Sequence, residues 1–558
     1  MRHRISMPVL RAALRALGST GLLRPHPLGA ILRLVWLLLR HGCSLFTLVA
    51  WNARRFPDAI AVVDPHRRAT FCELQKRAAT IAQALGIGAH HRVGILCRNS
   101  LVFVEVLLAC GRAGADAALL STMFAVEQVT HLCETEHLDL LICDDEFRQP
   151  VTTLETRFPG LHGRVVSSAA LVDENLGELS PLGRPRRRRG LVRRTGTVVI
   201  MTSGTTGPAR AVRHRPTLRQ ILRTVTALLD QLQLKRGEPT LLTIPLLHGH
   251  GLATLGMSLA LAAPLFIFPR ARSADLLTCI AQNEIRVVVL VPTILLRLLE
   301  LGMEGSRTTV RQVVCGSAPL SASLATQGIE HLGPVLFSLY GSTEAGLISL
   351  ATPEDLRVAP ASVGRLLPGV SVDLQTAEGA DVGPGQIGRL RVRGELMQGR
   401  VVQNGGVETG DLAHFGKDGR LYLDGRADDL LICGGENVLP KTIEDIIDRR
   451  PYVLSSAAVG VPSVEYGQSI HLFVELRSGF GDVSETAIAE DLSSCLPPVL
   501  RPAGITIVPA LPRGPSGKVL RRLLTGDCQS YSDGMISSNS ISKTSVPEGT
   551  PGREGELP

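Results

Sequence analysis

At 558 residues the chain is too long for one ordinary hydrophobic core, so a large multi-layer domain with at least one smaller companion is implied. Hydrophobic residues make up 44% and charged residues 20%, which argues against wholesale disorder and allows a sizeable core. A formal charge of +8 invites a polyanion, but aromatics are only 4% and no basic-aromatic platform appears, which argues against nucleic acid and leaves small polyanions or an acidic membrane surface.

The first 45 residues read as an amphipathic leader. The stretch "HPLGAILRLVWLLLRHGCSLFTLVAW" is strongly apolar, yet Arg33, Arg40 and His41 interrupt every window of bilayer-spanning length. It starts late and lacks a small-x-small cleavage site, so a secretory signal is disfavoured. On a helix Arg33 and Arg40 share one stripe while Ile31, Leu32, Val35, Trp36, Leu38 and Leu39 cover most of the rest. Such a helix either lies in the plane of a membrane or packs on the domain surface.

From residue 46 short apolar runs alternate with helical patterns: "RVGILC", "LDLLIC", "GTVVIMT", "PTLLTIPL", "RVVVLVP", "RQVVCG" and "VLFSLYG". Runs of this kind read as buried parallel strands of an α/β domain spanning 46–425, and ligands of such sheets bind beyond the carboxyl ends of the strands. The basic run 184–194 reads as a solvated loop or linker. After about residue 370 shorter strands with hairpin turns, such as "GKDGRLYLDG", predict an antiparallel subdomain. Residues 426–524 predict a small, mobile α+β domain built on "SIHLFVELR", "GITIVPA" and the helix-like "SETAIAEDLSSCL". The Ser-, Gly- and Pro-rich segment 525–558 reads as a disordered tail. Eleven cysteines without a CxxC pair argue against structural zinc and disulfides and favour a reducing compartment, by default the cytoplasm.

Chemistry concentrates first in "VVIMTSGTTGPARAVRH". An apolar strand runs into Thr202, Ser203, Gly204, Thr205, Thr206 and Gly207, whose backbone N–H groups and hydroxyls suit phosphate oxygens. The GxxxxGK[ST] spacing is absent, and alone such a loop is more often a simple turn. Four further motifs follow in order: "YGSTEAG", "TGD", "GRADDLLICGGENVLPKTIED" and "LPRGPSGKVLRR". Together the five motifs resemble the adenylate-forming enzymes, a superfamily that includes acyl-CoA synthetases, luciferases and peptide-synthetase adenylation domains. The likeness spans roughly residues 50 to 524.

The resemblance implies a fold of a large and a small domain, and a two-step reaction using ATP, magnesium and CoA. It groups Thr202 to Gly207, Arg210, Gly316, Tyr340, Gly341, Ser342, Thr343, Asp411 and Arg426 around the nucleotide, with Tyr340 near adenine, Thr343 near the α-phosphate, and Asp411 and Arg426 on the ribose hydroxyls. Glu344 and Thr205 fall to magnesium; a hard cation bridging phosphates wants carboxylate oxygen, although as bare sequence Glu344 could equally be a helix N-terminal charge. Asp428 matches the interdomain hinge, and Gly434, Gly435 and Glu436 match a segment facing pantetheine. Lys518, one of only six lysines, matches the catalytic cation. When a carboxylate approaches the α-phosphate, each pair of unit charges about 4 Å apart costs about 4 kcal/mol at an effective dielectric of about 20. An ammonium placed between them offsets that repulsion.

For the acid, "IPLLHGHGLATLGMSLALAA" is informative. Amino-acid-activating relatives have an aspartate here, whereas this chain has His248, Gly249, His250 and Gly251, followed by small apolar residues. The expected substrate is therefore an apolar acid, first of all a fatty acid, although these residues could simply be core. The intact "YGSTE" favours CoA over a carrier protein as acceptor. The chain departs from the family at Ala209, Arg210 and Ala211, where Pro, Lys and Gly are usual, and lacks a tryptophan before "TGD".

Overall fold

The computed structural model describes residues 18, 27–124, 126–148, 164–172, 176, 181–183, 195–202, 210–214, 218–303, 309–394, 406–433, 436–463, 467–497, 500–514 and 517–524. Two parallel-rich sheets dominate the N-terminal part. In the six-stranded sheet, Val165–Ser167, Leu140–Cys143, Arg92–Leu96, Asp116–Leu119 and β1 (Val198–Thr202) run parallel, and β2 (Arg210–His214) closes one edge antiparallel to β1. In the nine-stranded sheet the parallel centre comprises Ile60–Val63, Leu265–Ile267, β3 (Thr240–Leu242), β4 (Val287–Leu290), β5 (Gln312–Gly316) and β6 (Leu336–Ser342). Antiparallel strands flank it: Arg68–Thr70 at one edge, β7 (Gly346–Ala351) and Arg365–Leu366 at the other.

All seven apolar runs singled out in the sequence contain strands of these two sheets. Leu140–Cys143 and β4 are buried at every residue, as expected where helices cover both faces of a sheet and the sequence can be continuously apolar. The helix Leu101–Ala113 is buried for its first ten residues. Its start is fixed by the Ser100 hydroxyl, which accepts from the Phe103 N–H, and its end by Gly114 at φ 73°. Full burial of side chains such as Phe71 and Phe103 contributes roughly 1.5–3 kcal/mol each.

Two N-terminal helices, α1 (Pro27–His41) and α2 (Leu45–Arg55), lean on this core. Leu37 and most of α2 are buried, while Leu32, Val35, Trp36 and Leu39 stand exposed. Helices α3 (Leu218–Leu232), α4 (Gly249–Ala260) and α5 (Pro292–Glu300) belong to the half that carries the nine-stranded sheet.

After residue 370 the architecture turns antiparallel, as the hairpin signals predict: Val370–Gln375, Gly388–Gly394, β8 (Val407–Phe415) and β9 (Leu421–Arg426) form a four-stranded meander. The last unit is a five-stranded sheet of Leu431–Cys433, Glu436–Val438, Val453–Ser463, Gly467–Leu476 and Gly504–Val508, with helices Pro440–Ile447 and Glu485–Cys495. It has its own core, centred on Ile443, Ile447, Val453, Leu472 and Ile488. The fold is thus α/β in the large domain, with an antiparallel part and a small α+β domain. The basic run 184–194 and the segment 525–558 lie outside the described residues.

Candidate active site

The polar half of the site is built where strands end. Tyr340 sits near the carboxyl end of β6, and its hydroxyl donates to Asp411 Oδ2 at 2.5 Å. Asp411 on β8 faces Arg426 on β9 in register, and Arg426 Nη1 donates to Asp411 Oδ1 at 3.1 Å and to the Thr409 carbonyl at 3.3 Å. Burial, and then the neighbouring Asp411 carboxylate, push the Tyr340 phenol well above its ordinary pKa, so it remains a donor. Arg426 Nε is buried without a hydrogen-bond partner, leaving a donor to be satisfied by something else. The glycine of "TGD" is required twice over: Gly410 has φ 78°, and a Cβ there would stand 2.6 Å from Arg426 Nη2.

Glu344 lies in the tight connection between β6 and β7, where Ser342 pairs with Gly346 and the Ser342 hydroxyl accepts from the Ala345 N–H at 3.0 Å. It therefore caps no helix. Its carboxylate is partly exposed and makes no ion pair among the described residues. Thr343 shares that connection, and Gly341 pairs with Leu347 across the hairpin.

On the opposite side of β6, His248 and His250 open α4. The His250 ring stands over Gly316 at the end of β5, where a Cβ would lie 2.9 Å from its Cε1. His250 Nδ1 is 3.2 Å from Ser317 Oγ, and Ser317 holds the sparsely populated φ of 70°. Burial, followed by the Lys518 charge at His248 and by His248 at His250, pushes both imidazoles down to about 4, so both are neutral near pH 7. Of these, His248 is the site residue expected from the sequence, whereas His250 enters that reading only as its neighbour and Ser317 not at all. The signal for His250 was its i+2 spacing from His248 at a helix start; a left-handed serine leaves none.

Beneath this pair an apolar slot runs between α3, α4 and strands β3 to β6. It encloses about 50 Å³ and is lined by residues including Leu232, Thr254, Met257, Val289, Leu339 and Leu347. Helix α4 therefore has two faces. Leu255 and Leu259 are core, while His250, Ala253, Thr254 and Met257 face the slot.

The small domain reaches this place through the loop at Lys518. Gly514 N–H donates to the Lys518 carbonyl at 2.8 Å and Arg513 Nη1 to the Gly517 carbonyl at 3.2 Å, which closes a turn. A Cβ on Gly517 would stand 3.2 Å from Val291 Cγ2 and 3.3 Å from Thr293 Oγ1 at the start of α5. The loop is thus docked on the large domain, and the Lys518 ammonium is close enough to His248 to depress its basicity.

β1 and β2 pair antiparallel with Thr202 opposite Arg210 and Met201 opposite Ala211, so Ala211 is an ordinary strand residue and needs no glycine. Ser203, Gly204, Thr205, Thr206 and Gly207, which follow β1, lie outside the described residues, as do Gly434 and Gly435. Gly249 approaches Ile200 of β1, so the end of that strand adjoins the start of α4. Asp428 follows β9 directly, and Arg426 Nη2 is 3.6 Å from its carboxylate. Glu436 stands exposed on the edge strand of the small domain's sheet.

Residues 49–399 match the AMP-binding enzyme family, and residues 442–518 match the AMP-binding enzyme C-terminal domain. The chain is an AMP-binding enzyme. It is similar to the fatty acid–[acyl-carrier-protein] ligase ScoC of Streptomyces coeruleorubidus, 27% identical over 517 residues, which cover 87% of this chain and 97% of the relative. It is also similar to the 2-succinylbenzoate–CoA ligase of Lactococcus lactis, 27% identical over 467 residues, covering 82% and 96%. Among solved structures, the o-succinylbenzoate CoA synthetase of Bacillus subtilis bound to its acyl-adenylate OSB-AMP superposes with a TM-score of 0.73 at 24% identity, covering 86% of this chain and 97% of that one. The anthranilate CoA ligase AuaEII gives 0.77 at 21% identity, covering 88% and 98%. At such identities the structures establish the fold of this AMP-binding enzyme.

Proposed function

We propose that this AMP-binding enzyme is an AMP-forming acid–thiol ligase that activates an apolar carboxylic acid, in the first instance a fatty acid, and passes the acyl group to CoA. The observation that carries the reading is the seating of the Lys518 loop on the large domain through Gly517, within electrostatic reach of His248 and two residues from the slot-lining His250, with Tyr340, Asp411 and Arg426 on the neighbouring strand ends.

In the first step a carboxylate oxygen of the acid attacks the α-phosphorus of ATP. The new O–P bond forms as the bond to the bridging oxygen breaks, and pyrophosphate leaves. The Lys518 ammonium offsets the repulsion between the approaching anions. Asp411 accepts from one ribose hydroxyl while Arg426, whose Nε is unsatisfied, donates toward the sugar. Glu344 would hold the magnesium that accompanies ATP: its carboxylate has no ion pair among the described residues, and the phosphates supply further oxygen ligands and receive the charge neutralisation the ion provides. In the second step the thiol sulfur of CoA attacks the acyl carbon, the C–S bond forms, the C–O bond to AMP breaks, and the thiol proton passes to solvent. Asp428, placed directly after β9, is the pivot about which the small domain turns between steps, bringing the segment that ends at Glu436 to the thiol.

The apolar acid follows from the slot. Glu238, the only carboxylate lining it among the described residues, accepts from the Lys235 N–H at 3.0 Å and sits 3.9 Å from Arg311, so it is already engaged and holds no substrate ammonium. Transfer to a carrier protein is the second reading, favoured by the similarity to ScoC. None of the ten described cysteines forms a disulfide, which suits the cytoplasm.

The test is a turnover screen of the purified chain with Mg-ATP and acids from acetate to long-chain fatty acids, offering CoA or a holo-carrier protein as thiol. Acyl-CoA and AMP in equal amounts are expected, with apolar acids preferred. Product only on the carrier protein moves the reading to the second acceptor, and no acid-dependent ATP–pyrophosphate exchange with any acid overturns the ligase altogether.

A further inference from the structure

Helix α1 is divided lengthwise. Leu37 is 3% exposed and Leu34 packs beside it on the core, yet Leu32, Val35, Trp36 and Leu39 are 70%, 48%, 48% and 59% exposed. Positions 32, 35, 36 and 39 recur at helical spacing and form one continuous outer stripe. Scattered apolar side chains on a surface need no explanation, but four large ones in a single stripe do.

The segment that carries the stripe is charged with one sign. From Met1 through Pro57 the sequence contains nine arginines and no aspartate, glutamate or lysine. Within the described part, Arg40 lies over the Trp36 ring at 5.0 Å to its centroid. Arg33 lies within electrostatic reach of Arg54, Arg112 of Arg40, and Arg55 of Arg236, three like-charged pairs on this side of the molecule. Gathering them costs free energy that an opposing anionic surface would recover. A helix of 15 residues cannot cross a bilayer, and none of the described helices is long and apolar enough to do so. An apolar stripe that carries a tryptophan and shares its helix with Arg33 and Arg40 matches a bilayer's interfacial zone, with hydrocarbon for the stripe and anionic headgroups for the guanidiniums.

We propose that the outer face of α1 docks this enzyme on an anionic membrane surface, α1 lying in the plane of the headgroups. Asn52 of α2 donates to the Leu259 carbonyl at 2.6 Å, tying α2 to the helix α4 that walls the acyl slot. Arg236 stacks on Phe56 at 4.8 Å, next to Lys235 at the slot's exposed end. The docking face is therefore one helix away from the slot, and an acid dissolved in the bilayer would meet the enzyme on that side. That consequence rests on the apolar-acid reading; the docking does not.

The test uses the full chain with vesicles of phosphatidylcholine alone or mixed with phosphatidylglycerol. The chain is expected to sediment with the mixed vesicles roughly tenfold better than with the neutral ones, and added salt should weaken the association. Of the two tryptophans Trp51 is 4% exposed, so a blue shift of emission on vesicle addition reports Trp36 entering the interface. Replacing Leu32, Trp36 and Leu39 together by serine should abolish sedimentation while ATP–pyrophosphate exchange with a soluble acid stays at the wild-type level. Trp36→Ala alone, at a half-exposed side chain on the outer stripe, should weaken sedimentation severalfold and serves should the triple variant not fold. Equal sedimentation with both vesicle types, an unmoved tryptophan emission, or a wild-type dimer in solution that the serine substitutions dissolve would each overturn the proposal, the last by assigning the stripe to a second copy of the chain.

Discussion

The two halves of the proposed site are built on different physics. On the nucleotide side, Tyr340, Asp411 and Arg426 are locked to each other at 2.5 and 3.1 Å, and the backbone beneath them is shaped to fit, with Gly410 leaving room for the guanidinium. On the acyl side, Leu232, Met257, Val289 and Leu339 bound about 50 Å³ with no direction imposed except at its ends. On the proposed reading, polar groups at fixed distances should act alike on every acid, because they would meet the nucleotide that all the reactions share. Packing volume discriminates, since each methylene gained or refused is worth about 0.8 kcal/mol.

Substitutions should therefore divide into those that slow every acid and those that re-rank acids. The largest effect is expected at Lys518: Lys518→Ala should lower adenylate formation by roughly a hundredfold to a thousandfold for all acids while ATP binding changes little. Pyrophosphate exchange beside nucleotide titration measures both, and an equal loss of the two would make Lys518 a structural residue. Next is Asp411→Asn, which removes the charge facing Arg426 and leaves one amide oxygen where two carboxylate oxygens serve Arg426 and the Tyr340 hydroxyl. A charge-assisted pair of this kind contributes about 1.5–3 kcal/mol, so the KM for ATP should rise roughly tenfold to a hundredfold, again for every acid. A smaller and opposite pattern is expected from Met257→Trp in the slot wall. The kcat/KM for long acids should fall about tenfold relative to acetate, with the KM for ATP unmoved. Uniform loss across the panel would erase the distinction between the two halves.

What could be read from residues alone follows the same division. The strands were legible because seven apolar runs are long enough to be buried on both faces, and the polar residues because "YGSTE", "TGD" and "GRADD" pack several functional groups into few positions. Contacts between distant segments were not legible. Nothing in "PRGPSGK" says that Gly517 rests against Val291 and Thr293, 226 and 224 positions earlier, nor does "CGSAP" announce that Ser317 takes a left-handed φ to meet His250. The departure at Ala211, where Gly is usual, is harmless to the backbone for a reason the sequence conceals: the residue lies in a regular strand opposite Met201. Helix α4 was ambiguous in principle, since a helix that is core on one face and slot on the other is apolar on both.

The smallest effect concerns the histidines where the halves meet. Both imidazoles are held neutral, with pKa values down to about 4 against an ordinary 6.5. The unfolded chain therefore binds more protons than the folded one between those values. The stability contribution is fully present above pH 6.5 and is lost as pH falls toward 4. His250→Gln removes one such group while leaving a polar side chain near Ser317. Its melting temperature should lie a few degrees below wild type at pH 7.5, and the gap should narrow as pH falls toward 4.5, because only the wild type has an imidazole to protonate there. A gap independent of pH would mean that His250 acts through packing on Gly316 alone, and that the boundary between the halves is steric rather than electrostatic.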